Sequence, residues 1–191
     1  MSVSLVKGQR ISLEKSNALH KLFMGLGWDP VKKSGFFGFG SEQDIDLDAS
    51  CAMFAEDKKT LVDVVFFNNK KSKDNAILHS GDNLTGEGER DDEVISVYLP
   101  GINPQVHYLV FTITSYSGQT FNSIQNAFCR LVDTAGNKEL ARYTITGGGD
   151  YTGMIMAALY RKNDEWKMRA IGEKAQGRTV KDMLDPILAI L

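Results

Sequence analysis

The stretch Val106-His-Tyr-Leu-Val-Phe-Thr-Ile-Thr-Ser115 decides the fold. Leu109, Phe111 and Ile113 alternate with Thr112 and Thr114, a period of two that puts the apolar side chains on one face of an extended chain. Val94 to Leu99 repeats the pattern through Ile95, Val97 and Leu99. Further short runs, Thr60 to Phe67, Ala127 to Asp133, Leu140 to Thr146 and Trp166 to Ile171, are separated by turn signals such as Ala135-Gly136-Asn137 and Asn163-Asp164. Many short strands with regular turns predict a mainly β chain folded as a sandwich or barrel.

Two stretches read as helix instead. Tyr151, Ile155, Ala158, Leu159 and Lys162 follow helical spacing behind a capping Asp150. Val180, Met183, Leu184, Ile187, Leu188 and Leu191 form a second apolar stripe behind Thr179, predicting a C-terminal helix that Pro186 should bend or break. Both stripes are expected to pack against a sheet, because a one-sided helix covers a core.

At 191 residues and 42% hydrophobic content the chain is expected to be one domain, 1–191, with a substantial core. The formal net charge of -2 gives no basic footprint for nucleic acid, and Lys70, Lys71 and Lys73 read as a solvated turn. Cys51 and Cys129 are isolated in apolar sequence and read as buried free thiols. No run reaches the roughly 18 apolar residues of a membrane span, nor does the start resemble a secretion signal, so a cytoplasmic location is expected.

The chemistry concentrates in acidic loops. His79 to Glu93 sets six carboxylates against one arginine, with Gly81, Gly86 and Gly88 interleaved. Carboxylates this crowded repel unless a cation sits among them. Calcium, which takes six to eight oxygens at about 2.3–2.6 Å, suits this mixture of donors. Asp44-Ile-Asp-Leu-Asp48 adds three carboxylates at alternate positions; if extended, they share a face at about 6.5 Å spacing while Ile45 and Leu47 anchor the core. A solvated strand face accounts for that repeat equally well. Asp82 to Glu93 spans the length of an EF-hand loop but fails its pattern at Leu84, Gly86 and Glu87. A site here must therefore be assembled from separate loops, with Asp29, Asn68 and Asn69 as further oxygen donors.

Gly25-Leu-Gly-Trp-Asp29, Asp44-Ile-Asp-Leu-Asp-Ala-Ser50, Phe66-Phe-Asn-Asn69, His79-Ser-Gly-Asp-Asn-Leu-Thr-Gly-Glu-Gly88 and Asp91-Asp-Glu93 resemble, in this order, the TerD family of tellurium-resistance and stress-response proteins. The resemblance continues through Gln119-Thr-Phe-Asn122, Ala127-Phe-Cys-Arg130, Glu139-Leu-Ala-Arg-Tyr143 and Trp166-Lys-Met-Arg-Ala170. Trp28-Asp-Pro-Val-Lys-Lys33 and a phenylalanine-rich insertion look closer to its TerZ and TerX branch. The resemblance implies a β-sandwich with a few short helices and about two Ca2+ ions at one end. Carried over residue by residue, the metal donors fall on Asp29, Asp44, Asp46, Asp48, Asn68, Asp82, Asn83, Asp91, Asp92 and Glu93. It further implies partners among other Ter-system proteins, including TerB and the membrane protein TerC.

Two features depart from the family pattern. Arg90 stands where glycine is common, and either offsets part of the acidic charge or points to solvent. The insertion Ser34-Gly-Phe-Phe-Gly-Phe-Gly40 is either a docking surface or a lid folded onto the protein. Catalytic signatures do not emerge: His20, His79 and His107 are scattered, with His107 expected in the core, and Gly147-Gly-Gly-Asp150 reads as a flexible turn. Tellurite reduction would require reactive thiols or a redox cofactor, so the expectation is a non-enzymatic calcium-binding protein acting through partners. The alternative is a phosphoesterase using magnesium or manganese at the same loops.

Overall fold

The computed structural model describes residues 2–13, 20–30, 46–80, 91–144, 148–163 and 165–191. Its strands are β1 (Val3–Ser4), β2 (Arg10–Ser12), β3 (Lys21–Pro30), β4 (Leu47–Phe54), β5 (Leu61–Val65), β6 (Ile77–His79), β7 (Glu93–Tyr98), β8 (Tyr108–Ser115), β9 (Ile124–Asp133), β10 (Lys138–Thr144), β11 (Gly153–Lys162) and β12 (Glu165–Ala175), followed by helix α1 (Leu184–Ile190). The first sheet runs β1-β10-β9-β3-β7-β6 and the second β2-β12-β11-β8-β4-β5. Pairing is antiparallel except between β1 and β10. This is the expected mainly β sandwich.

The core lies between the sheets, where Met24, Leu26, Ile95, Val97 and Leu131 meet Cys51, Met53, Leu109, Phe111 and Leu159. Ile95 and Val97, and likewise Leu109, Phe111 and Ile113, fall on the inward face as their alternation predicts. A second apolar cluster covers the outside of the second sheet: Ala52, Phe54, Val110, Ile155, Ala158 and Ile171 pack beneath Val180, Met183 and Ile187. The central strands are therefore covered on both faces, and every residue of β4 is buried.

That double covering corrects the first helix expectation. Residues 153–162 form β11, a central strand paired on both edges with β8 and β12. Its Gly-Met-Ile-Met-Ala-Ala-Leu segment is buried at every position, because a strand between two apolar layers needs no polar alternation and then fits a helical spacing by chance. The C-terminal helix is present but begins at Leu184; Val180 and Met183 sit in the turns before it and still pack in the same cluster. Pro186 does not break it. It occupies the first turn, where its missing N–H costs no intrahelical hydrogen bond.

His107 also departs from expectation. It precedes β8 with a side chain 28% exposed, its Nε2 3.9 Å from Glu56, rather than lying in the core. Both cysteines are buried free thiols as expected. Gly172, in β12, has φ +64°, and an added Cβ there would overlap the Tyr143 hydroxyl; only glycine avoids both problems.

Candidate metal centre

Strand order and register bring the acidic segments to one end of the sandwich. Leu26 of β3 lies opposite Glu93 of β7, so Asp29 and the run 91–93 share that end. β4 starts there too, tied to β7 through Ala49. β5 stops with Val65 opposite Cys51, leaving the Ala49 edge without a strand partner. Side chains take its place: the Glu93 carboxylate accepts the Ala49 N–H, and His79 Nε2 lies 3.1 Å from the Ala49 carbonyl oxygen.

Three consecutive carboxylates enter three environments. Asp91 lies outside the first sheet, gripped by Arg130 through two 2.7 Å hydrogen bonds from Nε and Nη2. Arg130 also approaches Glu139, which binds Arg142, so the grip belongs to a chain of alternating charges. Gly25 makes room for it, since a Cβ there would fall 2.4 Å from the Asp91 carboxylate. Asp92 turns to the strand edge and accepts the Trp28 N–H at 2.8 Å. Glu93 begins the inward stripe that continues through Ile95 and Val97 and is fully buried.

The electrostatics follow from this placement. Partial burial, reinforced by the negative charges of Asp29, Asp91 and Glu93, pushes the Asp92 carboxyl up to about 6 despite the Trp28 hydrogen bond. His79 Nε2 lies 3.4 Å from Glu93 Oε2, both side chains wholly buried. Burial alone would lower the His79 imidazole, but its hydrogen bond to Glu93 and that carboxylate's charge outweigh it, so the pKa is raised.

Asp29 is aimed by a bulge. The β3–β9 register shifts between Gly27 and Asp29, and Asn126, at φ +54°, donates from Nδ2 to Asp29 Oδ2 at 2.7 Å. Asp48 is buried on the face of β4 opposite Leu47 and Ala49, which point into the core. Asp46 just precedes the strand and its carbonyl accepts the Tyr116 N–H. Asn68 is exposed in the turn bridged by Phe66 and Asn69, and the adjoining Phe67 ring packs edge-on to Tyr116. Asp44, Asp82 and Asn83, together with Arg90 and the phenylalanine insertion, lie outside the described residues.

Among the described residues, no three acidic, histidine or cysteine side chains stand close enough to hold a metal ion by themselves. The donor type would nevertheless suit a hard cation: the side chains at this end offer oxygen atoms, and one carboxyl is already reluctant to ionise. His79 and Arg130 were not among the expected site residues. Neither has a local signal, since each is defined by a carboxylate distant in sequence.

Comparison with known proteins then decides the family. The TerD domain matches residues 1–185. The chain belongs to the TerD family. It is 50% identical over 190 residues to tellurium resistance protein TerZ of Serratia marcescens, covering 98% of this chain and 97% of that one. It is 40% identical to stress response protein SCP2 of Bacillus subtilis (strain 168), over 96% and 98% of the two chains. A solved TerD homologue, described as a homologue of telluride resistance protein (TerD) from Streptomyces coelicolor A3(2), superposes with a TM-score of 0.70 at 22% identity. It covers 87% of this chain and 95% of its own, the same sandwich in outline. No helix among the described residues of this TerD-family chain is long and apolar enough to cross a membrane.

Proposed function

We propose that this chain is a cytoplasmic, non-enzymatic calcium-binding protein of tellurium resistance and stress response. Its acidic end binds about two Ca2+ ions and so biases association with other Ter-system proteins. The observation carrying this reading is Asp92: burial first, and then the charges of Asp29, Asp91 and Glu93, push this carboxyl up to about 6, a penalty on its charged form that a divalent ion would relieve. Asp29, Asp46, Asp48, Asp92 and Glu93 are the described candidates for donors, with Asp44, Asp82 and Asn83 completing the set. Asn68 contributes from the neighbouring turn. Asp91 serves as an anchor, because both its oxygens are engaged by Arg130.

When bound, calcium cancels charge and fixes loops. The chain's own residues hold the frame: Glu93 and His79 lock β4 to β7, and Trp28 orients Asp92. The non-enzymatic reading is supported by the cysteines. Burial raises both thiols, Cys129 to about 12 and Cys51 further still, so neither supplies a thiolate for tellurite reduction at neutral pH.

Isothermal titration with calcium and magnesium tests the proposal. Saturable, calcium-selective heat that weakens on the order of tenfold or more in Asp92→Asn is expected. Magnesium preference accompanied by phosphoester turnover, or no saturable calcium binding, would overturn it.

A further inference from the structure

We propose a second site, at the other end of β4 from the acidic loops, that binds a small phosphate-bearing anion. On the outer face of the second sheet a cavity of about 160 Å³ is lined by Arg10, Lys58, Tyr108, Tyr160, Lys162 and Arg169 and by the last residue, Leu191, whose backbone oxygen is the only acidic group in the described wall. β4 begins beside Asp48 and ends at Phe54, and Lys58 lies in the turn that follows, so the two sites sit at opposite ends of one strand.

Three observations point to an anion. Arg10 and Arg169 are direct register partners on β2 and β12, and like charges placed opposite each other are destabilising unless something negative lies between them. Arg169 Nε is buried and, among the described residues, lacks a hydrogen-bond partner; Nη1 makes only a long 3.3 Å bond to the Ile190 carbonyl. Finally, among the described residues Arg10, Lys162 and Arg169 make no ion pair with a carboxylate side chain, whereas Lys7, Arg130, Arg142 and Lys167 all do and Lys58 donates to the last residue, Leu191. Of the acids on the neighbouring segments, Glu56 lies 3.9 Å from His107, and Glu165, the register partner of Lys162, lies 3.9 Å from Lys167.

The ligand class follows from the donors. Two guanidiniums and a lysine present several N–H groups to a compact, multiply charged oxyanion, which a phosphate group satisfies better than a monovalent carboxylate or chloride. Lys58 is already committed, donating to the terminal oxygen of Leu191 and lying 5.7 Å above the Tyr108 ring, so the anion falls to Arg10, Lys162 and Arg169. Tyr108 and Tyr160, opposite each other on β8 and β11 with centroids 6.3 Å apart and planes within 14°, form an aromatic wall beside the cations. The enclosure takes one phosphate and a small body. A flat group on that phosphate would lie along the tyrosines.

The test is calorimetric titration of the full chain, in chelator and at fixed low ionic strength, with inorganic phosphate, adenosine 5′-monophosphate and chloride. Saturable phosphate binding is expected, weakened on the order of tenfold or more in Arg10→Gln and Arg169→Gln. Calcium titration of both variants should match the unaltered chain, which separates this site from the acidic one. Arg10 is exposed, so that variant carries the test if Arg169→Gln fails to fold. Tighter binding of the nucleotide supports a ligand with a flat ring, and equal binding supports free phosphate. Absence of saturable binding, chloride binding as well as phosphate, or variants binding like the native chain would each overturn the proposal.

Discussion

Replacing Asp91 with Asn tests whether this carboxylate anchors the acidic run or ligates metal. Its side chain is 6% exposed and receives two 2.7 Å hydrogen bonds from Arg130, itself 28% exposed. Hydrogen bonds to charged groups contribute about 1.5–3 kcal/mol each. Asn keeps one acceptor, and Arg130 retains Glu139 at 3.5 Å, so the expected net loss is about 2–3 kcal/mol rather than the sum. For a chain of this length each kcal/mol moves the melting temperature by about 2–4 °C, which predicts a fall of about 4–12 °C. Urea unfolding in chelator measures the loss, and Arg130→Met completes a double-mutant cycle whose coupling should be about 2 kcal/mol. Calcium stoichiometry should be unchanged in both variants. An Asp91→Asn chain as stable as the native one but short of one calcium equivalent would refute the anchoring role and return Asp91 to the ligand set.

Two other outcomes are expected. Gly172→Ala, forced to hold φ +64° with its Cβ 2.0 Å from the Tyr143 hydroxyl, should lose about 2 kcal/mol or more, and Tyr143→Phe should restore part of it; a neutral effect would mean the overlap is relieved at no cost. The metal-free protein should also lose stability between pH 4 and 7. Asp92 is raised to about 6 from the usual 3.8, so its folded form prefers the proton and stability falls as pH rises through that window. His79, also raised, stabilises the fold below its ordinary 6.5 and loses that contribution as pH rises through its folded value. The two act in the same direction, His79 at higher pH than Asp92, and calcium or Asp92→Asn should flatten the lower part of the dependence; a metal-free melting temperature that climbs steadily to pH 7 contradicts the Asp92 assignment.

Half of the sheet architecture was legible because strands whose two faces differ in polarity announce themselves, as Thr112 and Thr114 do opposite Leu109, Phe111 and Ile113. β7 alternates Ile95 and Val97 with Ser96 and Tyr98, and its burial alternates with them. β11 gave no such sign. Its inner face meets the core and its outer face meets Val180, Met183 and Ile187, so both faces demand apolar residues and the period disappears. The acidic residues were legible as a group for a related reason: a dense run of carboxylates is unusual whatever surrounds it. Their division of labour was not. Asp91, Asp92 and Glu93 are chemically similar neighbours in sequence, yet one faces Arg130, one the Trp28 amide and one the buried His79.

From the amino-acid order alone came the β class, the buried cysteines, the C-terminal helix and the acidic runs, because each depends on local composition or on spacing over a few residues. Tertiary structure alone decided which carboxylate is anchored, which is reluctant to ionise and which is sealed inside. It also placed Arg10 beside Arg169 across a sheet from segments far apart in the chain. Those outcomes depend on distances and on water exclusion between distant strands, and the strength of a charge in a protein is set by these rather than by its neighbours in sequence.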